Sequence, residues 1–185
     1  MKTARMILEI RNSDTHGKGV FATTHLPIGS VVCTLEGEEL SHTKMVDRIV
    51  HGKEDINDPF QIGKRTYLDL DEISRSFNHR CDPNTGIRKR SEMFAIKDIK
   101  PGDEITFDYS TTIAPTDWRM ECRCGAEKCR KVISDVRSIP KKQLKRYLEL
   151  GALQRYMKPI VKLLEEKKYV IPEYEKLALK RISKM

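Results

Sequence analysis

Short alternating runs of apolar and polar residues dominate the first hundred positions. Met6–Ile10, within RMILEI, is apolar-rich and runs into NSDTHG, a stretch of turn formers, so it reads as a strand. SVVCTL (Ser30–Leu35) and RTYLDLD (Arg65–Asp71) read the same way. Between them SHTKMVDRIVHG, from Ser41, spaces Met45, Val46, Ile49 and Val50 at helical intervals. A serine N-cap precedes these residues and Gly52 follows, which predicts a helix of about two to three turns. KEDINDPFQIGKR carries no period and reads as irregular.

The pattern also echoes itself. VFATTHLPIGSVV (Val20–Val32) matches MFAIKDIKPGDEI (Met93–Ile105), pairing Phe21 with Phe94, Ala22 with Ala95, Leu26 with Ile99 and Gly29 with Gly102. Both read as strand–turn–strand units, and Pro101-Gly102 suits the centre of a type II turn. From Pro140 the texture changes. PKKQLKRYLELG, KPIVKLLEEKK and PEYEKLALKRI each place apolar residues at helical spacing behind a proline, predicting two or three short helices with basic faces outward.

GKGVFA (Gly17–Ala22) fits G-x-G-x-x-A, a dinucleotide-binding fingerprint that must open a helix. No helix follows: Val20, Thr23 and Thr24 are β-branched, and Pro27 removes an N–H. The glycines therefore belong to a β-rich loop.

Composition narrows the class. A chain of 185 residues is expected to hold one domain with an appendage. No apolar run approaches the roughly 18–20 residues of a membrane span, and the first residues lack the apolar core of a secretory signal. Five cysteines, an odd count, point to metal ligation or free thiols inside the cell over a disulfide framework. Residues 138–185 hold 13 Lys/Arg against 5 Asp/Glu, while the rest balances at 22 and 22, so the formal excess of +8 lies in that tail. Such asymmetry suits a solvated helical surface or an acidic partner, nucleic acid included.

Three stretches carry candidate chemistry. RSFNHRCDPNTG (Arg75–Gly86) packs polar and turning residues between two strands. ITFDYS (Ile105–Ser110) reads as a strand ending in Asp108-Tyr109, where a tyrosine can orient a reacting group. CRCGAEKC places Cys122, Cys124 and Cys129 as C-x-C-x₄-C, one thiolate short of a tetrahedral zinc site. Cys33 lies in an apolar strand and reads as a small buried residue. Cys81, in the polar loop, is the better fourth ligand. Lys128, Arg130 and Lys131 would soften the negative charge of a Cys₄–zinc centre.

Together HGKGVFA, FNHRCDPN, FAIKDIKPGDEITFDY and CRCGAEKC resemble, in order and spacing, a SET domain with a post-SET zinc motif, over roughly residues 6–133. The resemblance implies a mainly β fold with short helices, a β-clip with a pseudoknot, followed by a C-terminal helical appendage. It divides the chain into a SET domain over 6–113, with a helical insert at about 41–65, a post-SET segment over 114–133 and a basic appendage over 138–185. It implies a small stand-alone protein-lysine N-methyltransferase that uses S-adenosyl-L-methionine and one structural zinc ion.

Carried over residue by residue, the family places the cofactor against Lys18, Gly19, Asn78 and His79. Tyr109 and Tyr67 match active-site tyrosines, and Phe107 stands where product methylation degree is set, here toward di- or trimethylation. Cys81, Cys122, Cys124 and Cys129 match the zinc ligands. Two departures stand out: Arg80 replaces the usual serine of N-H-S-C, and the aromatic before N-H is shifted by one, as Phe77. The expected substrate is a histone or another basic chromatin protein, with DNA contact through 138–185, no membrane, and an intracellular, cytoplasmic or nuclear setting. A ribosomal or translation protein as substrate, and an inactive SET-like module binding peptide or nucleic acid, are the alternatives.

Overall fold

The computed structural model describes residues 7–182. Met6, at the start of the expected first strand and domain, and Ser183–Met185, at the end of the basic tail, lie outside the described residues.

Among the described residues, twelve short strands form five small sheets. β1 (Leu8–Asn12) and β2 (Lys18–Ala22) make an antiparallel hairpin, so the first strand runs two residues further than RMILEI suggested. β3 (Val31–Thr34) pairs with β9 (Glu92–Ala95), which pairs with β8 (Thr85–Arg88). β4 (Gly37–Ser41) and β5 (Phe60–Gly63) flank β6 (Thr66–Leu70). β5 falls inside the stretch expected to be irregular. Its four residues alternate buried and half-buried, too short a run after Pro59 to register as a period.

The helix over the insert is α1 (His42–Val50), whose N-cap Ser41 hydroxyl accepts the Lys44 N–H. Its buried face is His42, Met45, Val46 and Ile49. α2 (Glu72–Arg75) is a single turn capped by Asp71.

The sequence echo is a physical pairing. The two strand–turn–strand units lie antiparallel, bridged at Leu26 and Ile99. Gly29 N–H donates to Ala95 O at 2.8 Å, and Gly102 N–H donates to Ala22 O at 2.8 Å, the same bond in each half. Both turns need their glycine at φ +87° and +89°, conformations that an L side chain rarely adopts.

A second device is a clasp. β7 (Asn78–His79) pairs in parallel with β10 (Thr106–Phe107) on one side. On the other, Asn84 Nδ2 donates to Glu104 O at 2.8 Å and Thr85 Oγ1 to Thr106 O at 2.7 Å. The loop from Asn78 to Thr85 thus grips residues 104–107 from both edges, which is the pseudoknot-like threading expected. β10 is shorter than ITFDYS suggested; a 3₁₀ turn begins at Tyr109.

β9 separates two apolar cores. Met93 and Ala95 face the β-body with Val20, Ile87, Ile99, Ile105 and Phe107. Phe94 and Ile96 face the other way, onto the C-terminal helices, as the period of two demands. α3 (Lys141–Glu149) and α4 (Met157–Glu165) bury Tyr147, Leu153, Tyr156, Met157 and Ile160 against that face. α5 (Glu173–Ile182) packs Ala178 against α1. Three helices stand where two or three were expected; α3 and α4 are seated on the β-body and α5 on α1. β11 (Arg119–Glu121) and β12 (Val132–Ser134), which the sequence reading missed, form a hairpin around the thiol-rich turn.

Candidate active site and metal centre

The clasp brings the polar loop and the ITFDYS segment into one place. Asn78 is buried on β7, and its amide Nδ2 donates to Lys18 O at 2.9 Å, to His16 O at 3.2 Å and to Glu104 Oε1 at 2.7 Å. One side chain thus fixes the β1–β2 turn, the loop and the strand before Tyr109. Gly19 is half of that arrangement: a Cβ there would meet Glu104 Oε1 at 2.3 Å. The glycine makes room for the Glu104 carboxylate. It does not itself line the cleft.

A cleft of about 1320 Å³ opens beside this knot. Lys18, Tyr67, Asn78, His79, Phe107 and Tyr109 all line it. Phe107 and Tyr109 rings lie 4.8 Å apart, and Phe60 meets Phe107 edge-on at 6.2 Å. The Tyr109 hydroxyl donates to Phe77 O at 2.9 Å, and the Tyr109 N–H donates to His79 Nδ1 at 3.2 Å. Burial, reinforced by Glu104, holds the Tyr109 phenol above its ordinary pKa; burial and Glu175 do the same for Tyr67. Both stay protonated at neutral pH, a state that suits donors and walls and not bases.

Cleft walls also come from segments the sequence reading did not assign to a site. Trp118 and Met120 contribute from the segment after the 3₁₀ turn, and Tyr169, Tyr174 and Glu175 from the C-terminal chain. Trp118 Nε1 donates to Asn57 Oδ1 at 2.7 Å, joining that segment to the loop after α1. His42 Nε2 lies 3.0 Å from Glu175, and Arg181 pairs with Asp47 at 2.7 Å, which seats α5 on α1. No local pattern in the sequence announces these contacts, which join residues 61 to 134 positions apart.

Cys81, Cys122, Cys124 and Cys129 gather beneath Tyr109 in a small apolar cluster with Ile133. Cys81 Sγ is 3.7 Å from Cys122 Sγ, and Cys129 Sγ is 3.6 Å from Cys122 Sγ. These are not disulfide distances. They are the edge lengths of a tetrahedron of sulfurs about 2.3 Å from a central zinc, roughly 3.8 Å. A ring nitrogen of His79 and the sulfurs of Cys81, Cys122 and Cys124 all lie within 4.8 Å of one another, a group that does not include Cys129. This buried His/Cys cluster could hold a zinc ion, and a donor set rich in sulfur suits it.

Cys124 is held down to about 7: burial opposes its ionisation, but backbone N–H donors from Cys81 and Ala126 outweigh that. Cys33 stands apart on β3, where burial and the Asp71 and Glu36 carboxylates push it up to about 12. It packs against the main apolar core but is half-buried, not the buried residue its strand context implied.

Comparisons with known proteins cover the cleft residues from Lys18 to Tyr109, and the family match ends before Cys122, Cys124 and Cys129. The family profile described as SET domain matches residues 17–110. The variant-silencing SET domain-containing protein of Plasmodium falciparum is 31% identical over 139 residues, covering 66% of this chain and 5% of its own length. Histone-lysine N-methyltransferase Su(var)3-9 of Drosophila melanogaster is 31% identical over 160 residues, covering 66% of this chain and 24% of its own. Among solved structures, KRYPTONITE in complex with mCHH DNA, H3(1-15) peptide and SAH superposes with a TM-score of 0.54 at 26% identity, over 69% of this chain and 29% of that one. The chain thus spans a quarter or less of the curated relatives described here.

Proposed function

Because the chain belongs to the SET-domain family, we propose that it is a protein-lysine N-methyltransferase that uses S-adenosyl-L-methionine, acting on a histone or another basic chromatin protein. The observation that carries this reading is the convergence of Lys18, Asn78, His79, Phe107, Tyr109 and Tyr67 on one cleft. Bound there, the cofactor supplies a methyl group on a sulfonium centre. The assignment of Lys18, Gly19, Asn78 and His79 to cofactor binding, of Tyr109 and Tyr67 to the lysine channel, and of the four cysteines to one structural zinc belongs to the same proposal. So do the boundaries: a SET unit over 6–113, a post-SET segment over 114–133 and a basic tail over 138–185.

The side chains explain how such a site activates its nucleophile. A free lysine, with a pKa near 10.4, is protonated at neutral pH and must lose its proton before attack. An apolar channel walled by Phe107, Tyr109 and Tyr67 penalises the ammonium, and a neighbouring cationic centre repels it. No strong base is required. The Tyr109 phenol, held by Phe77 O, is fixed to orient the amine. Alignment of reactants of this kind is worth on the order of 7–11 kcal/mol.

A histone tail suits the reading because a solved relative holds an H3 peptide. α3 presents exposed Lys141, Lys142, Lys145 and Arg146 on one face. Of these four, only Lys145 forms an ion pair with another described residue, Glu149 at 3.8 Å. That face supports contact with DNA near the substrate, and with it a nuclear setting. Incubation with methyl-labelled S-adenosylmethionine and either core histones or ribosomal proteins, followed by mass spectrometry, tests the reading. Label on a histone lysine is the expected result. Label confined to ribosomal proteins replaces the substrate class. Absence of transfer with salt-sensitive DNA binding points to a binding module.

A further inference from the structure

We propose that Arg130 is a positioning residue that couples the thiolate cluster to the turn carrying Tyr109. Its guanidinium is buried, with 9% of the side chain exposed, and it reaches two sites at once. Arg130 Nε and its backbone N–H both donate to Cys81 Sγ at 3.4 Å. The other end of the fork pairs with the fully buried Asp108 carboxylate and donates to Ser110 Oγ at 3.3 Å and Ser138 O at 3.4 Å. Asp108 in turn caps the 3₁₀ turn that starts at Tyr109, accepting the Ser110 N–H at 3.1 Å.

His79 provides a parallel link. Its Nδ1 accepts the Tyr109 N–H at 3.2 Å, so with the four cysteines as the metal ligands a neutral ring carries its proton on Nε2, 3.3 Å from Cys81 Sγ. Three N–H groups therefore converge on one sulfur. A neutral thiol is a weak acceptor, whereas a metal-bound thiolate needs such donors. Had Arg130 served only to neutralise Asp108, its Nε and its main-chain N–H would have no reason to face Cys81. A lysine could hold the charge but could not serve both directions with one planar fork. The structure thus places the cysteine cluster and the tyrosine turn on one hydrogen-bonded frame, through residues 22 positions apart.

The role given to Tyr109 rests on the methyltransferase reading; the contact with Cys81 does not, and the test separates them. Arg130→Gln and Arg130→Lys would be prepared with cobalt(II) in place of zinc and, separately, with zinc. Both variants retain four cysteines and are expected to bind one metal and to melt cooperatively. Loss of a donor raises the energy of the sulfur lone pair, so the thiolate-to-cobalt absorption should move to longer wavelength in both. In the zinc form, turnover should fall about 10- to 100-fold, with the KM for the cofactor within about twofold of the parent. An unmoved cobalt band in both variants overturns the Cys81 contact. A moved band with parental turnover overturns the coupling to Tyr109. A moved band with no methyl transfer even by the parent protein supports the contact and refutes the function reading instead.

Discussion

Gly19→Ala gives a sharp test of how the proposed cofactor site is assembled. Gly19 sits on β2 opposite Arg11, with no left-handed φ, so alanine adds no backbone strain there. The strain is steric. The new methyl would lie 2.3 Å from Glu104 Oε1 and 3.1 Å from Ser13 Cβ. The carboxylate is the mobile partner, and it must leave. Doing so breaks its bonds from Asn78 Nδ2 at 2.7 Å and Ser13 Oγ at 3.1 Å. Hydrogen bonds to a charged group contribute about 1.5–3 kcal/mol each, and rehydration of the partly exposed carboxylate returns some of that. A net loss of about 2 kcal/mol is expected, shared between folding stability and the setting of Asn78.

If most of it falls on the Asn78 amide, the Kd for S-adenosylmethionine rises roughly tenfold, since 1.4 kcal/mol is a factor of ten. Calorimetric titration with the cofactor and urea unfolding measure the two parts. Glu104→Ala removes the obstructing carboxylate, so the double variant should lose far less than the sum of the singles, with a coupling above about 1 kcal/mol. Gly17→Ala, at φ +49° with open space around its Cβ, is the control for glycine strain alone. Parental cofactor affinity in Gly19→Ala, or additivity in the double variant, would refute the chain of reasoning from Gly19 through Glu104 to Asn78.

Tyr109→Phe removes the hydroxyl that donates to Phe77 O; turnover should drop about a hundredfold, as for a misplaced reacting group, while calorimetry shows cofactor binding retained. Phe107→Tyr adds a hydroxyl beside Tyr109 and should shift products from di- or trimethyl-lysine toward monomethyl-lysine, read by mass spectrometry of the substrate peptide. Zinc analysis should give one ion per chain. Its removal by chelator should lower the melting temperature and abolish transfer, and release should become easier as pH falls, because protons compete for the thiolates.

Much of this arrangement was legible in the sequence, and the limits have physical reasons. α1 was readable because Ser41, the apolar spacing and Gly52 agree locally. The echo at residues 20–32 and 93–105 was readable as a likeness, but not as a pairing, because strand partners leave no mark in a single sequence. β4, β5, β11 and β12 escaped because runs of three to five residues carry too little alternation. Arg130 was legible as a cation beside thiolates. Its second hand, on Asp108, depends on a fold that joins two loops with no shared periodicity. The seating of α5 on α1 was hidden for the same reason: its anchors, Glu175 and Arg181, look in sequence like ordinary surface charges.

The clasp around residues 104–107 has a consequence for how the chain reaches this state. Asn78 and His79 grip that segment from one edge, while Asn84 and Thr85 grip it from the other. The clasp is complete only when the loop and the segment are both in place, and its bonds join residues 20 to 28 positions apart. Such long-range closure slows folding relative to local structure. The expected consequence is an all-or-none unit, in which the β1–β2 turn, the tyrosine turn and the thiol cluster are released together when the loop opens. Slow amide exchange at Thr106 and Arg80, matching the slowest in the protein, is how that shared fate would register.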